Sequence, residues 1–82
     1  MATVFFQASF ARRYTDGQTE VHCAAANYAA LVEALETRFP GFSRSLDNGM
    51  AVAIDGEIYP TPLLEALRPD SEVHFLPPIG GG

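Results

Sequence analysis

The chain has 82 residues, ten acidic against five basic ones, a formal net charge of -5 and one cysteine. That length fits one domain. The lone cysteine excludes an intrachain disulfide and a cysteine-built metal cluster, and the acidic balance argues against nucleic acid as a partner.

At the N-terminus, Met1-Ala2-Thr3-Val4-Phe5-Phe6 has neither a basic segment nor a long apolar run. No signal peptide or membrane span is expected, and a reducing, cytoplasmic setting suits the cysteine usage. Val4 to Phe10 reads as a strand rich in Phe and Val. Tyr14-Thr15-Asp16-Gly17 is a turn, and Thr19 to Cys23 alternates as the returning strand of a first hairpin. Asn27 is placed to cap a helix. After it, Tyr28, Leu31, Val32, Leu35 and Phe39 fall on one apolar stripe of about three turns. Glu33, Glu36 and Arg38 take the other side, and Pro40-Gly41 stops the helix.

Phe42 to Leu46 reads as an irregular connection and Asp47-Asn48-Gly49 as a turn. Met50 to Ile54 is a strand, and Asp55-Gly56 is a two-residue hairpin turn into Glu57-Ile58-Tyr59. Pro60 and Pro62 end that pairing. Leu63 to Leu67 can make one helical turn, Arg68-Pro69-Asp70-Ser71 reverses the chain, and Glu72 to Leu76 is the last strand, with Val73 and Phe75 on one face. The first and last strands are the most apolar, which suggests a central parallel pair with the helix across one sheet face. The expected fold is α+β: a β-grasp, ubiquitin-like mixed sheet of about four to five strands over residues 1–76, followed by a flexible tail over 77–82.

The tail is Pro77-Pro78-Ile79-Gly80-Gly81-Gly82. Prolines cannot continue a sheet ladder and favour extended backbone. Six residues at about 3.3 Å each reach about 20 Å. The glycines can enter a slot too narrow for any Cβ, which leaves the terminal carboxylate as the tail's reactive group. All five basic residues are arginines (Arg12, Arg13, Arg38, Arg44 and Arg68), so no side-chain amine is available for an isopeptide bond or a Schiff base.

The segment from Leu67 to Gly82 resembles the C-terminus of the ubiquitin-like sulfur carriers. It is closest to the small subunit of molybdopterin synthase and more distantly similar to the thiamin-pathway carrier. Val4-Phe5-Phe6 and Phe10-Ala11-Arg12-Arg13 are also similar to the family's first strand and turn. The resemblance implies that Gly82 is adenylated by an ATP-dependent, ubiquitin-like activating enzyme and converted by a sulfur donor to a thiocarboxylate. Gly81 and Gly80 would thread the tail into the active sites. It implies a sulfur-accepting synthase (large subunit) as second partner, docking through the sheet face, with no bound cofactor and no catalytic side chain. Phe5, Phe6, Phe75, Pro77, Pro78 and Ile79 are the docking candidates. A protein modifier conjugated to lysines is the other use of the same activated terminus. The sequence departs from the family's usual end in having Gly80 before the final glycine pair, and Pro69-Asp70-Ser71 where Asp-Gly-Asp is common.

The remaining polar residues carry little. Cys23 is expected to be a small buried strand residue. His22 and His74 lack a further ligand, so no metal site is expected. Asp55 and Glu57 flank a hairpin glycine and serve the turn, and Arg12 and Arg13 are expected at a solvated strand end.

Overall fold

The computed structural model describes residues 1–46, 50–59 and 65–76. Its strands are β1 (Ala2–Phe5), β2 (Glu20–Cys23), β3 (Ala51–Ile54), β4 (Glu57–Tyr59) and β5 (Glu72–Leu76). Its helices are α1 (Ala8–Tyr14), α2 (Tyr28–Arg38) and the single turn α3 (Phe42–Ser45). The strands form one mixed sheet in the order β2-β1-β5-β3-β4. β1 and β5 are parallel, while the other neighbours are antiparallel. This is the expected β-grasp architecture, with the last strand at the sheet centre.

Alternation decides the faces. Ala2, Val4, Phe6, Val21, Cys23, Val52, Ile54, Val73 and Phe75 point into the core, where Tyr28, Leu31, Leu35 and Phe39 of the α2 stripe meet them. Val32 is only partly buried at the edge of that stripe. The Asn27 side chain accepts from the Ala30 amide at 2.8 Å and caps α2. Gly41 follows with φ 96°, a left-handed turn that side-chain-bearing residues adopt at a cost. The Glu36 carboxylate then accepts from the Gly41 and Ser43 amides and the Ser43 hydroxyl, tying α2 to α3.

Several expectations change. The first strand ends at Phe5, and Ala8–Tyr14 is helical where extended chain up to Phe10 was expected. The reason is packing: Phe6, Phe10 and Tyr14 recur at helical spacing, and Phe10 stacks on Phe6 and meets Phe42 edge-on. β1 and β2 still pair antiparallel, from Ala2↔Cys23 to Phe5↔Glu20, but a helix joins them instead of a tight turn. Arg12 and Arg13 therefore stand on the last turn of α1. The connection after Gly41 closes into α3, which buries Phe42 completely.

Of the expected turn at Leu63–Leu67, the described part is not helical. Ala66 bridges Asn27, the Tyr28 amide donates to the Glu65 carbonyl, and the Leu67 amide donates to the Ala26 carbonyl. Leu63, Leu64, Pro60, Pro62 and Asp47-Asn48-Gly49 lie outside the described residues.

Candidate functional site: the open sheet face and the exit of the last strand

β5 leads to the C-terminal segment, and its hold on the sheet is two-sided. Val73 and Phe75 face the core. Phe75 stacks on Phe6 at 5.5 Å and meets Phe42 edge-on at 5.4 Å. Its backbone pairs with β1 from Glu72 to His74 and with β3 from Val73 to Leu76. Whatever follows Leu76 thus departs from the central strand of the sheet, which is paired on both edges. Gly80, Gly81, Gly82, Pro77, Pro78 and Ile79 lie outside the described residues.

The turn into β5 is fastened from the opposite end. In the Asp55-Gly56 hairpin both residues have positive φ (50° and 89°), the conformation expected of that dipeptide. The Asp55 carboxylate accepts from the Glu72 amide (2.9 Å) and the Ser71 hydroxyl (2.8 Å), with Arg68 at 3.2 Å. Led by the Glu72 amide, these partners hold the Asp55 carboxyl below the usual carboxylate range. Ser71 also accepts from the Arg68 amide. The Pro69-Asp70-Ser71 departure is therefore a closed turn held by side chains.

Among the described residues no helix lies on the other face of the sheet. One cross-strand row runs over all five strands: Glu20, Phe5, His74, Ala53 and Ile58. Phe5 and His74 stack in it, with ring centroids 4.5 Å apart. Ile58 is 68% exposed. Leu76 and Ala51 continue the apolar surface toward the end of β5.

The docking candidates separate on this geometry. Phe5 lies on the open face. Phe6 and Phe75 are 6% and 2% exposed, so as core residues they cannot contact a partner, which corrects that expectation. Strand alternation places them inward. His74, Ile58, Leu76, Glu20 and Glu72 join Phe5 on the open face and were not among the docking candidates read from the sequence. Alternation with the inward Val73 and Phe75 on β5 and with the inward Val21 on β2 was the signal for the direction of Glu72, His74, Leu76 and Glu20.

Cys23 is buried, and burial pushes its thiol up, outweighing the opposing effect of Arg38. His22 and His74 lie on opposite sides of β1, paired with Thr3 and Phe5. Among the described residues no group of three or more His, Cys, Asp or Glu could hold a metal ion. No helix among them is long and apolar enough to cross a membrane.

A family model described as the ThiS family matches residues 6–82. The chain belongs to the ThiS family. The ThiS-family assignment agrees with the sulfur-carrier resemblance of the C-terminal segment. In fold, this ThiS-family chain is similar to a chain of the Amycolatopsis orientalis BexX/CysO complex, at 20% identity and TM-score 0.84 over 100% of both chains. It is similar to Mycobacterium tuberculosis CysO at 20% identity and TM-score 0.84, over 96% of this chain and 100% of that one. It is also similar to SAMP1 from Haloferax volcanii at 24% identity and TM-score 0.72, over 99% and 98%. No curated protein sequence matches.

Proposed function

We propose that the chain carries sulfur on its C-terminal residue, Gly82. The carboxylate of Gly82 attacks the α-phosphate of ATP in an activating enzyme, pyrophosphate leaves, and an acyl adenylate forms. A sulfur donor then displaces AMP and leaves a thiocarboxylate, a strong sulfur nucleophile. ATP and the sulfur donor belong to the partner's reaction, and no cofactor stays on this chain. The observation that carries the reading is the ThiS-family match running through Gly82, behind a strand fixed at the sheet centre.

In this reading the chain is the donor and contributes no catalytic side chain. Gly80 and Gly81 let the end thread a narrow slot. The open face around Phe5 docks on the enzymes while the tail reaches their active sites. Among acceptors, the C-terminal resemblance favours the large subunit of molybdopterin synthase. A second reading has another acceptor, in thiamin or cysteine formation, tRNA thiolation or a specialised metabolite, or a role as protein modifier. It draws support from the end-to-end likeness to CysO and SAMP1.

The test is ATP–pyrophosphate exchange by the activating enzyme with the full chain and with Gly82 deleted. The full chain is expected to support exchange. The deletion is expected to fold normally and to support none. Equal exchange by both would remove Gly82 as the activated residue.

A further inference from the structure

β2 and β4 are the two edges of the sheet, and β2 is the longer of them. Its outward groups follow from the hydrogen bonds of β1. The Thr3 amide donates to the Ser71 carbonyl, toward β5, and the Phe6 amide donates to the Thr19 carbonyl, toward β2. Backbone groups alternate along a strand. Ala2 and Val4 therefore face β2, while Thr3 and Phe5 face β5. Val21 and Cys23, opposite Val4 and Ala2, are the residues of β2 that exchange bonds with β1. Glu20 and His22, opposite Phe5 and Thr3, turn their amides and carbonyls away from the sheet. Such an edge is a template for another strand.

One group already stands on this edge. Arg38, the last residue of α2, donates from Nη1 to the His22 carbonyl at 3.3 Å. Its guanidinium carbon also lies 5.6 Å from the centroid of the buried Phe39 ring. Among the described residues no other side chain bonds the outward backbone of Glu20 or His22. An incoming strand has to displace the guanidinium or bury it, and a charge placed this way deters edge-to-edge pairing.

The strand that fits the edge is β2 of a second copy. An antiparallel pair bonds only where outward residues oppose outward residues, so a twofold pairing centres on Glu20, Val21 or His22. Centring on Glu20 sets two like carboxylates against each other, which is destabilising. Centring on His22 opposes two imidazoles and sets Glu20 against Ala24. Centring on Val21 sets Glu20 opposite His22 in both directions, and each such pair exchanges both backbone bonds. Within one copy Glu20 and His22 already lie 3.4 Å apart, so in this register carboxylates and imidazoles of the two copies alternate. We propose that Arg38 guards the β2 edge against a second copy of this chain, which without the guanidinium pairs there antiparallel with Glu20 opposite His22. The inference is independent of the carrier reading.

The test is sedimentation of the full chain at high micromolar concentration, with amide hydrogen exchange on the same samples. Arg38 is exposed at the helix end, so R38M and R38Q, which remove the charge, are expected to keep the fold. Both are expected to dimerise at least about tenfold more tightly than wild type. Their Glu20 and His22 amides are expected to gain protection as concentration rises. R38K keeps a cation at the edge and is expected to stay as monomeric as wild type. Adding H22P removes one outward amide while leaving the bonds to β1, and R38M/H22P is expected to return to monomer. Monomeric R38M and R38Q, a dimer without protection at Glu20 and His22, or a dimer that survives H22P overturns the proposal. So does a wild type that dimerises as tightly as R38M.

Discussion

Asp55 holds a φ of 50° at the tip of the β3–β4 hairpin, and its carboxylate reaches to the turn that launches β5. Asparagine tolerates the same backbone conformation but lacks the charge. Replacing Asp55 with alanine removes the acceptor for Ser71 and Glu72 and is expected to lower stability by about 1–3 kcal/mol, read from the urea midpoint. The pH dependence has a definite sign. The folded carboxyl is held below its usual range, so its contribution is present above the ordinary carboxylate pKa of about 4 and is lost as pH falls through the folded value. The stability gap between wild type and Asp55→Asn should therefore narrow on acidification below about pH 4; a gap that widens there would contradict the clamp. Cys23 gives a second residue-scale prediction. Its thiol is buried and pushed up by burial, so a thiol reagent at neutral pH should modify it slowly in the native chain and readily after unfolding. Equal rates would place Cys23 at the surface.

At the scale of elements, α2 and β5 carry the core. Leu35 is completely buried on α2 against the sheet. A carboxylate there has no partner, so Leu35→Asp is expected to abolish the cooperative unfolding transition seen by circular dichroism. Phe75→Ala removes the ring shared by Phe6, Tyr28 and Phe42. It is expected to cost about 3–5 kcal/mol. α2 was legible because Asn27, the apolar stripe and Pro40-Gly41 agree on one helix. β5 and the β3–β4 hairpin were legible from alternation and Asp55-Gly56. α1 was not. Phe5 and Phe6 look the same in sequence, yet one closes a strand and the other heads a helical stripe through Phe10 and Tyr14. Gln7 offers no side-chain cap to mark the change. Local propensity left that segment open, and packing on Phe42 and Phe75 settled it.

For the whole molecule, the arrangement separates holding from reacting. The core fixes β5 between β1 and β3, the uncovered face offers Phe5, Ala53 and Ile58, and the proposed reactive atom lies on a glycine-rich end. The end motif is a reading of composition alone, prolines and then glycines, and it lies outside the described residues. The open face was hard to read from the sequence, because choosing between Phe5 and Phe6 needs the strand register, and His74, Glu72 and Ile58 come together only once five strands are side by side. Ile58→Asp tests the face with little risk to the fold, since Ile58 is 68% exposed. It is expected to keep the thermal transition near wild type and to weaken the complex with the activating enzyme at least about tenfold, measured by calorimetry. The central claim is that Gly82 carries sulfur. Its most direct measurement is intact mass of the full chain after incubation with its activating enzyme, ATP and a sulfur donor. The account predicts a mass increase equal to one oxygen replaced by sulfur, located on the C-terminal peptide and absent without ATP. An unchanged mass with an active enzyme, or sulfur located at Cys23 instead, would contradict it.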